Sequence, residues 1–83
     1  MRMVYFAWVR EQVGVPEEDV APPAAVVTIA DLVDWLAGRS EAHATAFARR
    51  DRLRAARDQN FVPLDTPIDG AAEIAIFPPV TGG

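Results

Sequence analysis

The sequence predicts an α+β domain in which a small mixed sheet is crossed by one main helix. Three observations lead there. Residues 28–37 carry a clear apolar stripe of helical period. Short runs rich in β-branched and aromatic residues open and close the chain. Finally, 83 residues at 51% apolar content suffice for one core and one domain.

Taken in order, residues 1–9 (MRMVYFAWV) form a dense apolar run that predicts a central strand. Residues 10–14 follow as a short helical turn closed by Gly14. Pro16-Glu17-Glu18-Asp19 reads as a solvated acidic turn. Val20 and then residues 24–28 predict a second strand, which Pro22 and Pro23 confine to an edge.

The main helix begins at Thr28, whose hydroxyl can cap it, with Asp31 three residues on in a capping-box position. Ile29, Leu32, Val33, Leu36 and Ala37 share one face, and Gly38 ends the helix. Residues 41–50 predict a shorter alanine-rich helix anchored by Phe47. Residues 53–56 read as a strand, Asp58-Gln59-Asn60 as a turn, and Phe61-Val62 as a short extended piece. Pro67-Ile68-Asp69-Gly70 is another turn, and residues 73–77 are the last strand.

Composition narrows the function. A net charge of −4 and a pI near 4.7 argue against nucleic acid as a partner. No apolar stretch has the length of a membrane span and no signal-peptide pattern opens the sequence, so a soluble cytoplasmic protein is expected. Without cysteine the chain has no disulfide, thiolate metal site or thiol nucleophile. All eight basic residues are arginine, so no side-chain amine is available for Schiff-base chemistry or for attachment of another protein.

Few residues suggest catalysis. His43 is the single histidine, and on an alanine-rich helix it reads as a surface residue. Ser40 has no base or acid at a suggestive spacing, and neither GxGxxG nor a P-loop is present. Arg49, Arg50, Arg52, Arg54 and Arg57 could dock on an acidic surface, although such a run is more often a solvated loop and strand edge. Phe6, Phe61 and Phe77 are candidates for a partner-facing surface if they share a sheet face that no helix covers. Otherwise they belong to the core.

The most informative segment is Phe77-Pro78-Pro79-Val80-Thr81-Gly82-Gly83. Two glycines in succession form the narrowest thread a polypeptide offers, able to enter a tunnel closed to other residues. The prolines fix φ and are expected to hold residues 78–83 as an extended, flexible tail pointing away from the domain. From Pro79 onward its reach is roughly 13 Å at about 3.3 Å per residue. A carboxylate presented in this way reads as a substrate handle for another enzyme.

With a β-grasp-like order of elements and a Gly-Gly end, the chain resembles the ubiquitin-like sulfur carriers, and among them the small subunits of molybdopterin synthase. Tyr5-Phe6-Ala7, Val9-Arg10-Glu11 and Gly14 carry the match in front, and residues 76–83 (IFPPVTGG) carry it behind. Three departures stand out. The family's usual Gly-Asp-Glu before the last strand reads Ala71-Ala72-Glu73, with the glycine one place earlier at Gly70. Asp58 stands where asparagine is common, and Arg57 replaces an apolar residue.

The resemblance implies a ubiquitin-like β-grasp and a mechanism centred on Gly83. An adenylating enzyme related to ubiquitin-activating enzymes would use ATP to activate the Gly83 carboxyl, and a sulfur donor system would convert it to a thiocarboxylate. The tail, with Pro78, Pro79, Val80 and Thr81 threading and Gly82 giving clearance, would enter the large catalytic subunit of the synthase. There it would pass sulfur to a cyclic pyranopterin monophosphate on the way to molybdopterin. The resemblance implies no cofactor on this chain itself and a heterotetramer with two large subunits. Other readings stay open at this point: a carrier for thiamine or cysteine synthesis, a ubiquitin-like protein modifier, or a plain interaction domain.

Overall fold

A computed structural model describes residues 1–79. The elements are β1 (Arg2–Tyr5), α1 (Ala7–Val13), β2 (Glu17–Asp19), α2 (Ile29–Ala37), α3 (Glu41–Ala46), a 3-10 turn (Arg50–Arg52), β3 (Arg54–Arg57), β4 (Asn60–Val62) and β5 (Glu73–Phe77). They form one five-stranded sheet in the order β2-β1-β5-β3-β4. The β1–β5 pair is parallel and the other pairs are antiparallel, so the sheet is mixed as expected.

Strand alternation divides the sheet into two faces. Met3, Tyr5, Ala55, Ile74 and Ile76 point inward and join Val9, Val13, Ile29, Leu32, Val33, Leu36 and Phe47 in one buried cluster. The α2 residues Ile29, Leu32, Val33 and Leu36 are fully buried, which explains why this stripe was the clearest signal in the sequence. Thr28 and Asp31 form the reciprocal capping box that their spacing predicts. Phe47 anchors the end of α3, again as expected, although the helix is shorter than residues 41–50.

Two sequence expectations are corrected. The strand read over residues 1–9 stops at Tyr5, and Ala7–Val13 is helical, packed against α3 and β5. Val9 and Val13, four apart, reach the core while Arg10, Glu11 and Gln12 face outward. An apolar run of this length does not by itself separate strand from buried helix. The second strand is not at residues 24–28 but at Glu17–Asp19, the segment read as an acidic turn. It is an edge strand held by main-chain pairing to β1, and a polar edge limits pairing with other chains.

Asp58 and Gln59 join β3 to β4 with φ of 47° and 72°, the left-handed pair that a two-residue hairpin requires. Asp58 Oδ1 also accepts from the N–H groups of Ala72 and Glu73, each at 3.0 Å, which ties the hairpin to the start of β5. Arg57 donates through Nη2 to Asp69 O at 2.7 Å and through Nη1 to Pro67 O, clasping the turn before β5. Gly70 in that turn has φ 81°, a conformation natural to glycine. The departures at Arg57, Asp58 and Gly70 thus meet in one structural unit.

Candidate functional site

Along β5, Ile74 and Ile76 face the core, so Ala75 and Phe77 face the opposite side of the sheet. Register sets their neighbours. Ala56 pairs with both Ala75 and Phe61, and Val4 pairs with Ala75, so an apolar row crosses β1, β5, β3 and β4. Ala56 and Ala75 are buried although they lie outside the main core cluster. The cover over them includes Phe61 and Phe77, whose ring centroids are 5.3 Å apart.

This face holds a cavity of about 590 Å³ lined by Phe6, Ala7, Ala56, Phe61, Phe77 and Pro79, among others. Phe6 is 48% exposed and Phe61 78%, and Phe77 is half-buried. The three phenylalanines expected to converge do so, on the side away from the helices. An apolar surface of this kind, flanked by the Arg2–Glu73 ion pair and by Arg54, has the anatomy of a protein interface.

Pro78 and Pro79 are half-buried and line the same cavity. Both prolines thus lie against the apolar face, and the expectation that residues 78–83 point away from the domain concerns a tail whose further course lies outside the described residues. The remaining tail residues, Val80, Thr81, Gly82 and Gly83, lie outside the described residues, as does the expected flexibility of that segment.

On the helix side lies a polar cluster that the sequence did not reveal. Tyr5 Oη donates to Glu18 Oε2 at 2.7 Å, and His43 Nε2 lies 2.7 Å from the same oxygen. His43 Nδ1 is 2.7 Å from Ser40 Oγ, which also accepts the His43 N–H at 3.1 Å as the cap of α3. His43 is therefore tucked in, its side chain only 12% exposed, and is not the free surface residue expected. Ser40 does have a base and an acid nearby, but its oxygen is committed to the helix end. Burial, aided by the hydrogen bond and charge of Glu18, pushes the Tyr5 phenol far above its usual value and keeps it a donor. Desolvation acts to raise the Glu18 carboxyl, but hydrogen bonds from His43 and Tyr5 outweigh it and leave Glu18 below its ordinary value.

Arg49, Arg50, Arg54 and Arg57 of the arginine run are engaged within the chain. Arg49 pairs with Asp51 at 3.0 Å, Arg50 with Asp34 and Phe47 O, and Arg54 with the carbonyls of Asp51 and Leu53. Among the described residues no His, Asp and Glu gather into a metal set, and no helix is long and apolar enough to cross a membrane. Ala75 could have been found from the alternation within residues 73–77. Ala7, Ala56 and Gln59, which also line the cavity, carry no signal of their own in the sequence.

Comparison with known proteins agrees with this geometry. A molybdopterin synthase sulfur carrier subunit of Escherichia coli is 39% identical over all of this chain and 99% of its own length. One from Haemophilus influenzae is 34% identical, over all of this chain and 99% of its own. The solved small archaeal modifier protein 1 of Haloferax volcanii superposes with a TM-score of 0.70 at 28% identity, over 96% of this chain and 97% of that one. The fold is the ubiquitin-like β-grasp. The model of the ThiS family matches residues 3–83, from β1 through the Gly-Gly end, and the chain belongs to that family.

Proposed function

We propose that this chain is the sulfur carrier of a cytoplasmic molybdopterin synthase, with Gly83 as the group that carries the sulfur. The observation that carries this reading is the position of the tail exit. Pro78 and Pro79 leave the last strand along the same cavity that Phe6, Phe61 and Phe77 line. A large subunit seated on these rings would receive the tail at the edge of its own interface, with no search through solvent. Family membership and two sulfur carrier subunits among the relatives support the same assignment.

The chemistry follows from what a carboxylate lacks. It is a poor electrophile, so an adenylating enzyme would join the Gly83 carboxylate to AMP and release pyrophosphate from ATP. A hydrosulfide equivalent from the donor system would displace AMP and leave a thiocarboxylate. Sulfur in that group is soft and largely deprotonated at neutral pH, hence a good nucleophile. After attack on the pyranopterin precursor, water would cleave the bond between the acyl carbon and sulfur and return the Gly83 carboxylate. Two such deliveries would build the dithiolene of molybdopterin, with catalytic acids and bases supplied by the large subunit. The chain has no cysteine to intercept the activated acyl group.

The test is fragmentation mass spectrometry of the intact chain after incubation with ATP, the adenylating enzyme and a sulfide source. Replacing oxygen by sulfur adds nearly the mass of one methionine oxidation, so fragments must place the change on Gly83 and not on Met1 or Met3. Sulfur on Gly83 that passes to the precursor when the large subunit is added is the expected result. The likeness to a small archaeal modifier protein favours one second reading, conjugation of Gly83 to lysines of other proteins. Adducts of higher mass in lysate, with no transfer to the precursor, would select it.

A further inference from the structure

We infer that Ala7 is a positioning residue: its left-handed backbone, braced across the sheet by Tyr5, Glu18 and His43, fixes Phe6 on the docking face beside Pro78 and Pro79. The inference rests on the proposed docking of a large subunit and adds to it the residue that sets the geometry.

Three consecutive residues perform three different tasks. Tyr5 points into the core and is 1% exposed. Phe6 is extended, with φ −130° and ψ 157°, and turns its ring outward. Ala7 has φ 53° and begins α1, which lies on the helix side of the sheet. The chain therefore leaves the sheet and enters a helix in a single residue. That corner needs a left-handed conformation, which contact between Cβ and the carbonyl makes unfavourable for alanine.

Ala7 is exposed and borders the same cavity as Phe6, so its methyl has no core role that would explain its presence. Glycine would make the same corner without strain, but it would also admit the other half of φ space and leave Phe6 on a loose joint. The methyl removes those alternatives. Non-glycine residues persist in such conformations where the surroundings over-determine them, and here they do. The Tyr5 N–H donates to Pro16 O at 2.9 Å, the Phe6 N–H to Ile76 O at 3.3 Å, and the Arg10 N–H to Phe6 O at 3.3 Å. From the opposite face the Tyr5 hydroxyl is held by Glu18, and Glu18 by His43, each at 2.7 Å. This polar cluster does not line the cavity, and its place in the function is to hold the residue next to one that does.

The full-length chain is titrated calorimetrically with the catalytic large subunit of molybdopterin synthase from the same genome, and each variant is also melted. Ala7→Gly should melt at or above the native temperature, since strain is relieved. It should nevertheless bind between about two and ten times more weakly, the effect of having to order one freed side chain. Ala7→Asn, which keeps a Cβ and tolerates the left-handed region, should return binding toward native. Weakening of Ala7→Gly only in step with lost thermal stability, or native binding by Ala7→Gly, overturns the inference. Phe6→Ala separates the two levels. If it weakens binding while Ala7→Gly does not, docking on this face stands and the role of Ala7 falls. If Phe6→Ala binds as native, the docking reading itself fails.

Discussion

Phe61 and Phe77 sit on adjacent parts of the uncovered sheet face with ring centroids 5.3 Å apart and planes inclined at 40°. Phe77 belongs to the strand that delivers the tail, whereas Phe61 lies on the edge strand β4 and is 78% exposed. Phe61→Ala therefore removes little from the fold and much from a contact surface. Calorimetric titration with the large subunit should show binding weakened by at least about tenfold, the range of aromatic hot spots. The thermal midpoint should barely move, as for other exposed positions.

Gly82→Val should separate docking from chemistry. The change leaves Phe6, Phe61 and Phe77 in place, so affinity for the large subunit should stay close to native. A branched side chain one residue from the reacting group would displace it within a narrow channel. Single-turnover sulfur release from the Gly83 thiocarboxylate should then fall by at least about a hundredfold, as misplacement by an ångström can cause. Release at the native rate would refute the narrow-tunnel argument.

Glu18 makes an acid-side stability prediction. Its carboxyl is held below the ordinary value of 4.5 in the folded chain, because hydrogen bonds from His43 and Tyr5 outweigh the opposing effect of burial. A depressed folded value contributes stability above the unfolded value and loses it as pH falls through the folded one. Urea unfolding at successive pH values should show native stability declining below about pH 4.5. Glu18→Gln should flatten part of that decline, leaving the share of Asp31, whose carboxylate is also lowered, chiefly by the N–H groups of Thr28 and Val27. Glu18→Ala, which strands the buried Tyr5 hydroxyl, should cost about 1–3 kcal/mol at neutral pH.

The turn before β5 offers a fourth test. A Cβ on Gly70 would meet Arg57 Nη2 at 3.6 Å, an ordinary contact, so space is not the obstacle. The obstacle is φ of 81°. Gly70→Ala should destabilise by about 1–2 kcal/mol, visible as a fall of roughly 4–16 °C in the thermal midpoint of a domain this small. An unchanged midpoint would mean that the turn can rearrange despite the Arg57 clasp.

What the sequence discloses depends on how local the cause is. Thr28, Asp31 and the stripe from Ile29 to Leu36 act within three turns, so α2 could be read directly. The last strand was legible for the same reason, as were the candidate phenylalanines. Whether Phe6, Phe61 and Phe77 share a face is decided by register between distant strands, and the sequence could state it only as a condition. The Tyr5–Glu18–His43 cluster joins residues 13 and 25 positions apart along the chain, and no spacing rule announces it. Glu17–Asp19 was misread because a strand at an edge is specified by its neighbour's backbone more than by its own side chains. Residues 6–9 were misread because one left-handed alanine ends a strand that apolarity alone would continue.

The sheet order places β5 at the centre, with β1 parallel on one side and β3 antiparallel on the other. In mechanical terms the tail is a tether fastened to the middle of the sheet. A pull along β5, such as a tunnel gripping the tail would exert, loads both flanking ladders in shear, so their hydrogen bonds resist together instead of unzipping one at a time. The proposed threading would thus pull on a rigid grip, with the two edge strands, β2 and β4, at the margins of the sheet.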